Sequence, residues 1–133
     1  MSFGLSEIRQ IAVTVHDIGR AVAFYRDKLG MKHLFSVPPK MAFFDCNGIM
    51  LMLSLPETEE FDHASSIIYF GVEDIHEATR VLTDRGVEFR EQPAFVADMR
   101  TYELWMSSFA DSEGNTLAMR SEVQKNPESR SGK

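Results

Sequence analysis

The chain has 133 residues, of which 44% are hydrophobic, and its formal net charge is −6. Acidic and basic residues are intermixed and form no basic cluster, which excludes nucleic acid as an expected partner. The single cysteine, Cys46, excludes an intrachain disulfide framework and predicts a cytoplasmic location. No membrane association is expected, because the strongest apolar run, residues 49–53, is too short to span a bilayer.

The first half of the chain shows the pattern of a strand, a helix and three further strands. Residues 8–15 alternate between two faces with the period of a strand, and Asp17 can cap a helix that ends at Gly30. The dipeptide Asn47-Gly48 is a strong hairpin signal, because both residues tolerate positive φ. The remaining strands are predicted over residues 32–37, 41–46 and 49–54.

The second half repeats this order. A predicted strand over residues 66–72 precedes a helix that Asp74 caps and that ends at Gly86. Residues 56–63 are predicted to link the two halves, and residues 92–100 are predicted to form a loop. The remaining strands are predicted over residues 87–91, 101–110 and 116–120.

The two halves also share sequence motifs, which indicates an internal duplication. The motif V-x-D-I-x-x-A begins at Val15 and again at Val72, and the motif F-x-D-x-x-G-x-x-L begins at Phe43 and again at Phe109. A copy of about 50 residues is marginal alone, so the copies should pack together or on a second chain, with a ligand groove between them. The two βαβββ modules are predicted over about residues 8–54 and 66–120.

These motifs resemble those of the vicinal oxygen chelate superfamily, which contains glyoxalase I, bleomycin resistance proteins and extradiol dioxygenases. The resemblance is carried by residues 11–18, 23–30 and 109–117, and it covers nearly all of the chain before residues 121–133, which we predict to be a flexible polar tail. It implies one α+β domain over residues 1–120, in which the two modules form a curved, cup-like mixed sheet with helices on the outside. In the enzymes of the superfamily, it further implies a divalent metal at the floor of the cup.

Four sheet positions supply the metal ligands in the enzymes that the chain resembles, usually as His, Gln or Glu. The resemblance places these positions at Gln10, Met52, Ile67 and Ala118. Only Gln10 has an oxygen donor suited to a divalent cation, whereas catalytic zinc normally keeps three protein ligands. We therefore expect neither a metal nor another cofactor.

Strand alternation extends these four positions into a predicted ligand surface. It places Thr14, Ser54, Tyr69 and Arg120 on their face, and Trp105 is expected to close a wall of the cup. An apolar lining with a few hydrogen-bonding groups suits an organic ligand. The alternative, that the apolar members of this set simply fill the core, stays open.

Glu103 is the remaining candidate for the site. It is interpreted either as a substrate-binding group or base pointing into the cup, or as a solvated strand residue. The four histidines fall on separate elements and are interpreted as structural, although His33 could face the cup. Asp111 repeats Asp45 of the first copy, so both are assigned to turns, and Cys46 is interpreted as a small apolar residue.

The leading hypothesis is a metal-free small-molecule binding protein similar to bleomycin resistance proteins, which act as homodimers that sequester a ligand in an apolar cup. The alternative is a metal-dependent lyase, isomerase or dioxygenase of glyoxalase type, in which Gln10 works with non-standard partners such as Glu103 or His33. A ligand sensor is a third hypothesis. The partners expected from the leading hypothesis are a small organic ligand and a second copy of the chain.

Overall fold

The computed structural model describes residues 3–125, and the chain divides into two units, Met1–Ser66 and Ile67–Lys133. Among the described residues, each unit contains one copy of the repeat, with one α-helix and one four-stranded mixed sheet. This confirms the predicted α+β class with two βαβββ modules. Within the described part of the chain, no helix combines the length and the hydropathy needed to cross a membrane.

Unit 1 has a mixed sheet with the helix packed on one face. Its elements are β1 (Gln10–Thr14), α1 (Ile18–Ala23), a π-helical turn (Phe24–Lys28), β2 (Lys32–Val37), β3 (Met41–Cys46), β4 (Ile49–Ser54) and a 3₁₀ turn (Glu59–Phe61). The strand order is β1-β4-β3-β2, in which β1 runs parallel to β4 and the other neighbours are antiparallel. The last three strands begin and end at the predicted residues.

The first helix begins as predicted but is not one regular helix. The Asp17 carboxylate caps α1 by accepting a hydrogen bond of 3.0 Å from the backbone amide of Arg20 in the first turn of the helix. After Ala23 the helix widens, and the amide of Leu29 donates to the carbonyl of Phe24 at 3.1 Å. Sequence periodicity predicted an unbroken helix to Gly30, because it does not distinguish a π-helical turn from an α-helical one.

The core of unit 1 lies between α1 with its π-helical turn and one face of the sheet. Tyr25 and Phe44 are fully buried, and their ring centroids are 6.0 Å apart. Val13 and Leu53 are buried from the neighbouring strands. The turn between β3 and β4 has positive φ at Asn47 (53°) and Gly48 (95°), as the hairpin prediction required.

Unit 2 repeats this arrangement. Its elements are β5 (Ile68–Gly71), α2 (Ile75–Asp84), β6 (Glu88–Asp98), β7 (Tyr102–Ala110) and β8 (Thr116–Gln124), in the sheet order β5-β8-β7-β6. Asp74 caps α2 by accepting from the amides of His76 and Glu77, both at 3.1 Å. The same residue type at the same repeat position therefore starts the helix in each unit.

Two boundaries in unit 2 differ from the prediction. Most of the predicted loop over residues 92–100 belongs to β6, which continues to Asp98 through three register shifts against β7. Pro93 is tolerated because β6 is an edge strand, where one missing amide donor need not break a ladder.

The second difference concerns the predicted tail. Strand β8 continues to Gln124, and Ser121 is buried opposite Trp105. Residues 121–124 therefore belong to the sheet and not to a tail. Pairing with β7 satisfies the backbone there whatever the polarity of the side chains. The rest of the predicted tail, residues 126–133, lies outside the described residues.

Candidate functional site

One face of the sheet in unit 1 is not covered by α1, and most of the predicted site residues of this unit lie on it. The register pairs Gln10 with Met50, Thr14 with Ser54, and Phe43 with Met52, and paired residues share a face. These side chains are exposed or half-buried, whereas their neighbours along the strands are buried against α1. We call this surface the Gln10 face, and it comprises Gln10, Thr14, Phe43, Met50, Met52 and Ser54.

Two of the four positions implied by the family resemblance meet on the Gln10 face. The Gln10 side-chain nitrogen Nε2 donates a hydrogen bond of 3.8 Å to the sulfur of Met52. The amide oxygen of Gln10 is therefore turned away from the neighbouring thioether. The thioether sulfur, which accepts this hydrogen bond, is itself a soft and weak metal ligand. The local pair is suited to contact with an organic molecule and poorly suited to a hard cation.

The Gln10 face is extended by aromatic rings and bounded by the segment after β4. The ring centroids of Phe35 and Phe43 are 4.8 Å apart, which continues the apolar surface onto the edge strand β2. At the other edge, the backbone amide of Thr14 donates to the Ser65 hydroxyl at 2.9 Å, and the Thr14 hydroxyl donates to the Phe61 carbonyl at 3.5 Å. Thr14 thus anchors the linker at the end of β1.

The corresponding face of unit 2 carries Tyr69, Ala118 and Arg120. The register pairs Tyr69 with Ala118, and Arg120 lies across from Gly71, so these side chains share one face. Hydrogen bonds from Arg120 to Tyr102 and Glu122 raise the pKa of the guanidinium and hold it beside the sheet. We call this surface the Arg120 face.

The exposed fractions of Ala118, Ile67 and Tyr69 limit what each side chain can contact. Ala118 has an exposed fraction of 3%, so little of its methyl group is available to a ligand. Ile67 precedes the first residue of β5 and is 47% exposed, and Tyr69 is 49% exposed. Of these three, Ile67 and Tyr69 offer contact area.

Glu103 and Trp105 lie on the opposite face of the same sheet. The register pairs them with Val123 and Ser121, which alternate with Arg120 along β8. The Trp105 ring contacts His76 of α2 at 5.4 Å, and its Nε1 donates to the Glu103 carboxylate at 3.2 Å. One ligand lying on the sheet of unit 2 therefore cannot contact both this pair and the Arg120 face, and their predicted grouping in one site is corrected by the strand register.

The remaining residues considered from the sequence have structural partners. His16 Nε2 lies 2.8 Å from the Asp62 carboxylate, and His63 Nδ1 lies 3.0 Å from the Ala64 carbonyl. Asp111 accepts the backbone amides of Glu113 and Asn115, both at 2.8 Å, which is the turn role predicted for it. Burial, reinforced by the Asp45 carboxylate, raises the pKa of the Cys46 thiol, which makes it a poor nucleophile.

The donor set does not fit the divalent metal of the related enzymes. Within residues 3–125, no group of three or more His, Cys, Asp or Glu side chains converges in a way that could hold an ion. At the four positions carried over from the family, an amide, a thioether and two aliphatic side chains stand where enzymes need several oxygen or nitrogen donors. These four side chains therefore do not form the metal site of the related enzymes.

Unit 1 also contains a cavity of about 690 Å³ that no sequence pattern indicates. It lies on the helix side, between α1 and the turn joining β2 to β3, and its walls include Arg26, His33 and Ser36. The His33 and Ser36 side chains meet at 2.9 Å across a register shift in β2. Strand periodicity places residues three apart on opposite faces, so the sequence carried no signal for this contact.

Comparison with known proteins identifies the family. The model of the Glyoxalase/Bleomycin resistance protein/Dioxygenase superfamily matches residues 7–119. A comparison with curated protein sequences gave no significant match.

Solved structures with the same fold span nearly the whole chain. An integron cassette protein from V. cholerae is 20% identical with a TM-score of 0.73, covering 91% of this chain and 98% of its own. A superfamily member from Sphaerobacter thermophilus is 24% identical with a TM-score of 0.73, covering 89% and 98%. A lactoylglutathione lyase from Agrobacterium tumefaciens is 20% identical with a TM-score of 0.67, covering 88% and 94%. The chain belongs to the glyoxalase/bleomycin resistance protein/dioxygenase superfamily.

Proposed function

We propose that the protein binds a small organic molecule on the Gln10 face and needs no metal ion to do so. The observation that carries the proposal is the hydrogen bond from Gln10 to the Met52 thioether, at two positions that hold metal ligands in the enzymes the chain resembles. A soft, adaptable thioether beside an amide favours an apolar ligand that carries a hydrogen-bonding group.

The composition of the Gln10 face supports the same proposal. Met50, Met52 and Phe43 give it a polarizable apolar centre, and Thr14 and Ser54 place hydroxyl groups at one end. A ligand with an aromatic body would bury its rings against the Met and Phe side chains while a polar substituent bonds to the rim. This arrangement gives affinity from apolar area and orientation from a few polar groups.

Binding is tested with 8-anilinonaphthalene-1-sulfonate, an aromatic fluorescent probe, and with protein labelled with ¹³C at the methionine methyl groups. We expect the probe to shift the Met50 and Met52 methyl signals, and we expect Met52→Ala to weaken binding. Met99→Ala is the matched control, since Met99 is an exposed methionine in unit 2. Unmoved Met50 and Met52 signals at saturation, or equal effects of the two variants, would refute ligand binding on this face.

The metal-free part of the proposal has its own measurement. Protein purified without a metal-affinity tag or a chelator is analysed by plasma mass spectrometry for Ni, Zn, Fe and Mn. We expect far less than one ion per chain. A stoichiometric ion that is lost in Gln10→Ala would instead support the alternative, a metal-dependent lyase, isomerase or dioxygenase with non-standard ligands.

We also propose that the protein acts as a homodimer. Large apolar side chains are exposed in both units, among them Phe35, Val37, Phe95 and Val96, and such surfaces commonly mark protein contacts. Light scattering coupled to size-exclusion chromatography measures the mass directly. A monomer mass at micromolar concentration would contradict this part of the proposal and leave ligand binding to be judged separately.

A further inference from the structure

The core of unit 2 contains three hydroxyl groups on neighbouring elements. Thr79 of α2, Ser107 of β7 and Ser121 of β8 have exposed fractions of 6%, 2% and 1%. None of their side-chain oxygens has a hydrogen-bond partner among the residues that the structure describes. A buried hydroxyl that gives up its bonds to solvent without gaining others destabilises the fold, so three such groups in one core require a physical explanation.

The two serines lie on the face of the sheet that α2 covers. The register pairs Trp105 of β7 with Ser121 of β8, and Ser107 is two residues further along β7 on the same face. The contact of the Trp105 ring with His76 of α2 identifies this face as the helix side. Ser107 and Ser121 are therefore diagonal neighbours, which lie about 7–8 Å apart in a sheet. One small molecule can bridge two hydroxyls across that gap.

Helix α2 brings Thr79 to the same place. Near the start of the helix, the rings of His76 and Trp105 have centroids 5.4 Å apart. After the helix, the chain enters β6, whose first residue pairs with the last residue of β7. Helix α2 therefore runs alongside β7 in the same direction. Thr79 is buried three residues after His76, on the same side of the helix, and Ser107 is two residues after Trp105, so their hydroxyls meet between helix and sheet.

The first copy of the repeat has aliphatic side chains at the three equivalent positions. Two positions are counted from the shared motifs, seven residues after the first valine and four after the last leucine, and the third is fixed by the strand register. The equivalents of Thr79, Ser107 and Ser121 are Val22, Ala42 and Leu55. The same fold thus fills this place in unit 1 with carbon atoms. The hydroxyl cluster is therefore a property of the second copy and not a requirement of the fold.

The chemistry of the cluster selects an uncharged molecule of the smallest size. Each hydroxyl can both donate and accept a hydrogen bond, and none offers a charge to neutralise a buried ion. Ile75, Phe109 and Leu117 are buried in the same core and are apolar, so they add no polar group. Internal water molecules typically make about three hydrogen bonds to buried groups that would otherwise be unsatisfied. Three hydroxyls supply that set.

We propose that Thr79, Ser107 and Ser121 form a binding site for an internal water molecule that connects α2 to the sheet of unit 2. The water bonds to all three hydroxyls and satisfies groups that the chain itself leaves without partners. The site is independent of the function proposed for the Gln10 face, which lies in unit 1.

The first test uses Thr79→Val, which replaces the hydroxyl with a methyl group of similar size. With the water in place, this variant removes one of its three partners, and the midpoint of thermal unfolding should fall by about 3–6 °C. Without a water, the hydroxyl has nothing to bond, and the methyl group should leave the midpoint unchanged or raise it. Thr83→Val, on the exposed side of the same helix, is the matched control and should change the midpoint little. An unchanged or higher midpoint in Thr79→Val would overturn the proposal.

The second test counts the water directly. Magnetic relaxation dispersion of ¹⁷O detects long-lived internal water and does not respond to hydroxyl groups. The wild-type chain should hold one more such water than the triple variant Thr79→Val, Ser107→Ala, Ser121→Ala. Equal counts would reject the site and would assign any lower midpoint of Thr79→Val to a bond between its hydroxyl and a backbone carbonyl.

A crystal structure decides the question if circular dichroism shows the triple variant to be unfolded. A density peak within about 3.2 Å of all three hydroxyl oxygens of the wild-type chain supports the site. Hydroxyls turned to backbone carbonyls, with no peak between them, reject it.

Discussion

Replacing Asp111 with alanine would remove the acceptor at the centre of the turn between β7 and β8. Its carboxylate accepts at least three hydrogen bonds, from the amides of Glu113 and Asn115 at 2.8 Å and from the Asn115 side chain at 2.9 Å, and the residue is only 6% exposed. Hydrogen bonds to a charged group contribute about 1.5–3 kcal/mol each but do not add fully, so we expect a loss of about 3–5 kcal/mol in the free energy of unfolding.

The first copy supplies the matched control. Asp45 occupies the same repeat position, but it accepts from the amide of Gly48 alone among the hydrogen bonds described for it, at 3.2 Å, and it is half-buried. Asp45→Ala should therefore cost about 1 kcal/mol.

Urea unfolding followed by circular dichroism measures both losses, and Trp105 fluorescence reports unit 2 separately. Equal losses for the two variants, or a loss below about 1 kcal/mol for Asp111→Ala, would refute the assignment of Asp111 as the turn anchor.

Three further predictions follow from burial and charge. Gln10→Ala should change the free energy of unfolding by less than about 0.5 kcal/mol, because Gln10 is exposed and its recorded side-chain bond is to a weak sulfur acceptor; a loss of several kcal/mol in urea unfolding would show it to be a core residue. Phe44→Ala should cost about 3–5 kcal/mol, and Phe43→Ala on the opposite face should cost less than half as much, as compared by thermal unfolding. Because the pKa of Cys46 is raised, iodoacetamide should alkylate this thiol more slowly than it alkylates glutathione near neutral pH. Asp45→Asn should lower the pKa of Cys46 and so speed its alkylation, whereas an alkylation rate of Cys46 equal to that of glutathione would contradict the effect of burial.

Much of each unit could be predicted from the sequence because the relevant signals are local. Asp17 and Asp74 cap their helices through residues within three positions, and Asn47-Gly48 forms its turn through its own φ preference. Strands β2, β3 and β4 begin and end where alternation placed them. The repeat motifs then assign the same order to both halves, which is how the α+β two-module class could be predicted.

The candidate sites were predicted less completely, since they depend on which strands pair and on the register of each pair. The family resemblance grouped Gln10 with Met52, and their contact follows from the pairing of β1 with β4. Strand alternation could not show that Trp105 faces α2, because the side of a sheet that receives a helix is decided by the packed chain.

The amino-acid sequence alone determined the duplicated modules and their helix caps, because these depend on residues close together in the chain. It also determined that, of the four positions that hold a metal in related enzymes, only Gln10 has an oxygen donor suited to a divalent cation, because this depends on side-chain identity. The tertiary structure decided the length of β6 and β8, the face of Glu103 and the cavity at Arg26 and His33. Bulges, register and helix packing bring together residues distant in the chain, and their energies depend on backbone pairing and burial that no local pattern encodes.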